Sequence, residues 1–524
     1  MPDEVRIDGE SLTPEDVEAV ARGGASVVVP EEACERVRES RERVEDIVES
    51  GEAVYGVNTG FGELVRERIS AEDIGELQRN LLRSHAAGTG RELATEEVRA
   101  MLVTRINALV KGYSGIRERV ISLLVGMLNE RVHPVVPEKG SLGASGDLAP
   151  LAHLALVAIG EGEARIDGDR LPGDAALARR DLTPIDLRAK EGLAMINGTQ
   201  LTVGLGALII QDAERAVRAA DIAGALTTEV TMGTTAAAHS RITDVRPHEG
   251  HRESARNVRL LTAGSGIVES HRNCDRVQDA YSVRCLPQVH GAVRDAVSHL
   301  RSVVETELNS ATDNPLVFDA DSVDERASGT DTAAILSGGN FHGEPLALPL
   351  DYVTSALAEL GAIAERRVDR MLNPEIQEDH LPPFLTESSG LQSGYMIAQY
   401  TAADLVSSTR NLGRPSTDSI PVSGNQEDHV SMSAQTARLS REAIENVLHV
   451  VATELVCATQ ALDFVADGLE PGDGTGAAAV LVREHVPHLD EDRPVADDVE
   501  TARDLVTDDT LFEWVENAVD GNLQ

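Results

Sequence analysis

Aromatic residues are scarce in this chain: 6 Tyr, 6 Phe and 1 Trp make up 2% of its 524 residues. A core so poor in rings is built from aliphatic side chains. An aromatic set beside glycines is then a candidate for work other than packing. Lysine is scarcer still, with only Lys111, Lys139 and Lys190. Positive charge is therefore almost all Arg, and 88 acidic residues against 47 basic ones leave a formal net charge of -41. Such a chain repels phosphate backbones and anionic bilayers, which argues against nucleic acid and membranes as partners. Acidic charge along the whole chain with so little Lys fits a halophilic protein, soluble in concentrated salt. An apolar fraction of 41% and long amphipathic runs exclude a disordered acidic chain.

Cysteine is also sparse. Cys34, Cys274, Cys285 and Cys457 lie far apart with no CxxC pair. They are expected to be reduced and mostly buried, in a cytoplasmic protein. The opening MPDEVRIDGE is acidic and has no apolar core, so no signal peptide is expected. No run approaches the about 20 apolar residues of a membrane helix. Internal repeats and low-complexity tracts are lacking too.

What is present is mostly helical periodicity. Short β-like pieces, Val5 to Ile7 and Val27 to Val29, flank a small helix near the start. Residues 31–50 read as a helix with Cys34, Val37, Val44, Ile47 and Val48 on one face. Further helices are expected over 71–87, from about 95 to 130, over 148–159, and near 288–310, 344–372, 391–409 and 433–467. Residues 163–190 are turn-rich, with a hairpin signal at Asp167-Gly168-Asp169. Residues 199–239, rich in Ala, Gly, Leu and Thr, read as closely packed core helices. The expected fold is mainly α: a large bundle of long helices with a loop-rich N-terminal part. Three consecutive parts are expected, 1–115, 116–470 and an acidic helical extension over 471–524.

The stretch Glu138-Lys139-Gly140-Ser141-Leu142-Gly143-Ala144-Ser145-Gly146-Asp147-Leu148-Ala149-Pro150 interrupts this pattern. Its plain reading is a glycine-rich turn whose Ser or Asp caps the next helix. Ala-Ser-Gly can also make an electrophile out of backbone. The Gly146 nitrogen attacks the Ala144 carbonyl, water is lost, and loss of the Ser145 hydroxyl leaves a methylidene. The product is a methylidene-imidazolone, MIO. No ordinary side chain is electrophilic, so an enzyme that needs an electron sink without an added cofactor has few other routes.

GSLGASGDLAPLAHLAL resembles the MIO signature of the aromatic amino-acid ammonia-lyases, and matches from Tyr55 to His429 follow in family order. The resemblance implies an ammonia-lyase/fumarase-like helical fold, an autocatalytic MIO from Ala144, Ser145 and Gly146, and no external cofactor or metal. It also implies a homotetramer whose sites are shared between subunits. Tyr55, in YGVNTGFG, corresponds to a base for the substrate β-proton; a phenol has an ordinary pKa of about 10 and needs help to act so at neutral pH. Ser84-His85, in NLLRSHAAG, corresponds to a pair against the substrate ring, and Ser-His is the pattern of the histidine-acting members. Some tyrosine aminomutases share it. Asn197, in MINGTQ, would bind the MIO carbonyl or the substrate amine. In QDAYSVRCLPQ, Arg284 would clamp the carboxylate, Tyr281 would assist at the amine or at MIO, and Gln278 would line the pocket. Phe341, in GGNFH, would pack beside MIO.

Glu427, in NQEDH, is the strongest vote for histidine. The phenylalanine-acting members usually carry Gln there, and a carboxylate suits an imidazole N–H and not a phenyl ring. The implied reaction is non-oxidative deamination of L-histidine to trans-urocanate and ammonia, the first step of histidine degradation, with Tyr55 or Glu427 as base. Alternatives are a tyrosine or phenylalanine lyase or aminomutase, a pyridoxal enzyme using Lys139, and an uncyclised scaffold. His248-Glu249-Gly250-His251 is read as a solvated loop and not as metal ligands.

Overall fold

The computed structural model describes residues 2–51, 54, 56–57, 73–272, 274–323 and 327–524. Two units divide the chain. The first comprises Met1–Gln211, Leu300–Asp351 and Arg414–Arg438; the second comprises Asp212–His299, Tyr352–Gly413 and Leu439–Gln524. Neither is a consecutive stretch, whereas the sequence-based division into 1–115, 116–470 and 471–524 runs along the chain.

In the first unit, strands Glu4–Arg6 and Ser26–Val28 pair in parallel, and helix Pro14–Ala21 joins them. Thr13 and Asp16 close a capping box at that helix. Helix Glu31–Ser50 buries Cys34, Val37, Val44 and Ile47 as the periodicity predicts, and Gly51 ends it in the left-handed conformation. Val44 and Ile47 pack with Val57, Ile74, Val317 and Ile335. The expected helix over 95–130 is in fact two, Thr95–Val110 and Glu118–Asn129. Gly112 and Gly115 break it at φ 84° and 64°. A Cβ on Gly112 would stand 2.8 Å from the Arg36 carbonyl oxygen and one on Gly115 2.3 Å from Val44, so neither glycine is replaceable. The hairpin forms as expected, with strand Glu163–Ile166 against Asp169–Pro172, and Asp167 and Gly168 both at positive φ as a two-residue turn requires.

Of the residues expected as core helices over 199–239, Thr235–Ala238 form a separate 3-10 turn and Gln200–Val230 one helix of 31 residues. With Leu286–Leu308, Glu344–Leu372 and Ser433–Leu462 it is among the long helices whose two ends belong to different units. Among the described residues, Glu344–Leu372 is long and apolar enough to cross a membrane by length and composition, contrary to expectation; 67% of its most apolar window is buried in the protein.

The second unit buries charge. Arg367 grips Glu454 through Nε and Nη2, both side chains being fully inaccessible. His290 Nδ1 donates to Asp221 (2.7 Å), which also accepts from Arg294, Ser254 and Asn257. Burial works against the Asp221 carboxylate, but Arg294 and His290 outweigh it and hold its pKa well below the usual range. Two expectations fail here. Cys274 is exposed and Cys285 half-buried, so only Cys34 and Cys457 are core residues. His251 is buried within helix Glu249–Leu261, 3.0 Å from the Gln288 amide, and not in a solvated loop.

Candidate active site

The glycine-rich loop leaves strand Pro137–Lys139 and is tied down on both sides of its tripeptide. Upstream, the Leu142 carbonyl accepts from Met432 N (2.7 Å). The Gly143 carbonyl accepts from Gly343 N and from the Ser431 hydroxyl, each at 3.0 Å. Downstream, Asp147 N donates to the Gly198 carbonyl (2.7 Å). Gly146 runs beside Gly198 so closely that a Cβ would lie 2.1 Å from that carbonyl oxygen, and its φ is 77°. The third residue of the tripeptide must therefore be glycine. Among the described residues, the backbone N–H groups of Ala144, Ser145 and Gly146 donate to no acceptor within hydrogen-bonding distance.

Asp147 does not cap the helix it precedes. That helix, Ala149–Ala158, starts after Leu148 at φ 37° without a side-chain cap. Asp147 instead accepts from Leu201 N (2.7 Å), Thr202 N (3.1 Å) and the Thr202 hydroxyl (2.7 Å), at the first turn of Gln200–Val230. The carboxylate thereby serves orphan amides of a helix that begins more than fifty residues later. Burial pushes its pKa up to about 6 against these hydrogen bonds.

Asn197 sits just ahead of that helix. Its Nδ2 donates to the Asn314 carbonyl (2.9 Å), and its own carbonyl accepts from Arg105 Nη1 (2.8 Å). Asn314 O can only accept, so the amide orientation is fixed and Oδ1 points elsewhere. That oxygen is buried and has no partner. A buried acceptor left open is costly unless a ligand donates to it. Asn314 is held in turn: Asp313 Oδ1 accepts its N–H (2.7 Å), and Asp313 Oδ2 accepts from Lys190 Nζ (2.7 Å) in a fully buried pair. Burial lowers the Lys190 pKa, and Asp313 opposes the fall. None of Lys190, Asp313 and Asn314 was singled out from sequence; the scarcity of Lys is the one signal that pointed at Lys190.

Glu427 lies at the tripeptide, accepting from the Ser145 hydroxyl at 3.0 Å. Its loop is sharply bent, with Ser423, Gly424 and Asn425 all at positive φ. His85 ends helix Ile74–His85, half-buried. Its Nδ1 faces the Leu81 carbonyl (2.9 Å) and Ser84 Oγ (3.1 Å), which places the proton on Nδ1 and leaves Nε2 an open acceptor. Phe341 is half-buried; the next residue, His342, stacks on His429 at 5.8 Å and donates from Nε2 to the His429 carbonyl. This joins the Phe341 and Glu427 loops.

Gln278, Tyr281 and Arg284 belong to the second unit. Tyr281 and Arg284 share the short helix Tyr281–Arg284, and Arg284 Nη1 donates to Gln278 Oε1. Among the described residues Arg284 makes no ion pair, in a chain where most arginines do. Tyr281, 72% exposed, borders a cavity of about 620 Å³ with Cys285, Glu359 and Arg410. Arg367 Nη1 reaches the Ser282 carbonyl at 3.3 Å, from beneath the short helix. Tyr55 lies outside the described residues. Lys139, the alternative nucleophile, is 53% exposed and lies 3.7 Å from Glu138 Oε1.

The chain is 62% identical over 519 residues to a probable histidine ammonia-lyase of Halobacterium salinarum, covering 99% of both chains. It is 50% identical to a histidine ammonia-lyase of Gloeobacter violaceus, covering 99% and 98%. The first relative's source agrees with the halophilic reading of the composition. Among solved structures, it resembles a tyrosine aminomutase from Streptomyces globisporus (TM-score 0.92, 39% identity, 99% and 100% of the two chains). It likewise resembles a histidine ammonia-lyase from Trypanosoma cruzi (TM-score 0.89, 38% identity, 99% and 96%). The helical architecture expected from the sequence is thus that of known ammonia-lyases. With residues 12–484 matching the aromatic amino acid lyase model, the chain belongs to that family and is a carbon–nitrogen lyase.

Proposed function

We propose that this protein converts L-histidine to trans-urocanate and ammonia, using an MIO group formed from Ala144, Ser145 and Gly146. One observation carries the reading: the tripeptide's amides are unengaged while Glu427 meets the Ser145 hydroxyl at 3.0 Å. The residues present fit the group. Gly146 N is free to bond, and no side chain could stand at Gly146. Once formed, MIO supplies an electrophilic methylidene carbon, the electron sink that lets a poor amine leave.

The chain's own residues do the rest. Arg284, free of carboxylates, offers its fork to the substrate carboxylate. Asn197 Oδ1 accepts from the substrate amine. Glu427 accepts the imidazole N–H, and His85 Nε2 faces the same ring. Tyr55 or Glu427 takes the β-proton, and Tyr281 assists at the amine. The β C–H and α C–N bonds break as the C=C forms, so no oxidant is needed. Tyr281 at 72% exposure and Val277 at 93% are apolar surface in need of cover, which supports a homotetramer with shared sites. Cytoplasmic location belongs to the same reading.

A tyrosine or phenylalanine lyase or aminomutase is the second reading, favoured by the likeness to an aminomutase. Incubation with L-histidine in molar KCl, followed by the ultraviolet absorbance of urocanate, separates the two, with L-tyrosine, L-phenylalanine and Ser145→Ala run alongside. Urocanate from the parent alone is the expected result. Coumarate or cinnamate in its place overturns the choice of substrate.

A further inference from the structure

Ser431 stands at a point where three segments meet. It is wholly buried, donates to the Gly143 carbonyl (3.0 Å) and accepts from Ser433 N (3.3 Å). A Cβ on Gly143 would lie 2.2 Å from Ser431 Oγ and 2.4 Å from Ser433 Oγ, and one on Gly343 would lie 2.1 Å from Ser433 Oγ. Two glycine backbones are therefore pressed onto a pair of hydroxyls. Ser433 continues the chain of contacts to Thr202 Oγ1 (3.3 Å) and through it to Asp147 (2.7 Å).

We propose that Ser431 is a positioning residue for ring closure: its hydrogen bond to the Gly143 carbonyl fixes the arm that carries Ala144, holding the Ala144 carbonyl carbon for attack by Gly146 N. This rests on the reading of the loop as an MIO precursor. In the step itself, the Gly146 N–C bond forms at the Ala144 carbonyl, whose oxygen leaves as water with the Gly146 and Ser145 amide protons. The Ser145 hydroxyl then leaves as a second water with the Ser145 Cα proton. No oxidant enters. Gly343 N shares the same carbonyl, so removing Ser431 Oγ loosens the arm without freeing it. Ser433 touches neither the tripeptide nor this carbonyl by hydrogen bond.

The test is intact mass, sampled at intervals after a pulse of synthesis, for the parent, Ser431→Ala, Ser431→Thr and Ser433→Ala. The parent and Ser433→Ala are expected to become two waters lighter at the same rate. Ser431→Ala is expected to lose the waters about tenfold more slowly, the weight of one hydrogen bond. Ser431→Thr, which keeps the hydroxyl, is expected to recover most of the rate. Melting of Ser145→Ala with and without Ser431→Ala gives the cost to folding where no ring can form. Dehydration of Ser431→Ala at the parental rate overturns the proposal. So does a melting loss large enough to leave the double variant unfolded, since Ser431 would then serve the fold alone. A parent at full mass overturns the reading of the loop, and the clamp falls with it.

Discussion

Replacing Glu427 with Gln is the most direct test of why this site would choose an imidazole. The carboxylate is half-buried, and among the described residues its one side-chain hydrogen bond is to the Ser145 hydroxyl. A surface ion pair is worth at most about 1 kcal/mol and a broken buried one about 3–5. Half-burial sets the Glu427–imidazole contact between them, at about 2 kcal/mol, as for hydrogen bonds to charged groups. That is about thirtyfold in kcat/KM. Gln keeps the shape and an acceptor oxygen but not the charge, and it meets a phenyl ring with less desolvation cost. The assay is kcat/KM for L-histidine and L-phenylalanine in molar KCl, with intact mass confirming that the variant still loses two waters. The expected result is a fall of about thirtyfold for histidine and no fall for phenylalanine. A histidine-to-phenylalanine ratio unchanged by the substitution refutes the argument that this carboxylate selects the ring.

Gly146→Ala forces a Cβ to within 2.1 Å of the Gly198 carbonyl, and the purified chain is expected to stay at full mass. Asn197→Ala leaves the Asn314 carbonyl without its donor, at a cost of about 1–3 kcal/mol in chemical denaturation. Lys190→Met strands Asp313 in the core and is expected to cost about 3–5 kcal/mol by the same measurement, whereas Lys190→Met with Asp313→Leu recovers most of it. Asp147 binds its proton more tightly folded than unfolded, so its share of stability is present below pH 3.8 and is lost as pH rises through about 6. Over that window the parent is expected to lose about 3 kcal/mol relative to Asp147→Asn, as read from denaturation at each pH; a parallel pair of curves contradicts the buried, elevated carboxyl.

The long helices and the reactive loop were legible because each announces itself locally, the helices by the 3.6-residue period and the loop by its glycines. Glu344–Leu372 matched to the residue. The break between 110 and 118 was overrun although Gly112, Ser114 and Gly115 mark a turn there, and the approach of Arg36 and Val44 shows why both glycines are needed. Buried charge was invisible. Arg367 with Glu454 and Lys190 with Asp313 are separated by many residues, and nothing in either neighbourhood marks those charges as interior. Within the site, the resemblance singled out Ser145 and Glu427 separately, and their hydrogen bond is seen only in the fold. The Asp147 cap on a distant helix could not be read, since Asp before a helical run reads first as its own N-cap.

The contact between Ser431 and Gly143 spans 288 positions of sequence. A ribosome has therefore delivered more than four fifths of the chain before the loop can be clamped. On the proposed role of Ser431, polypeptides that stop short of it hold the tripeptide without this brace and are expected to lose their waters more slowly. On the same proposal, maturation follows the order of synthesis, and the two lost waters would record in each molecule that a late segment has docked on an early one.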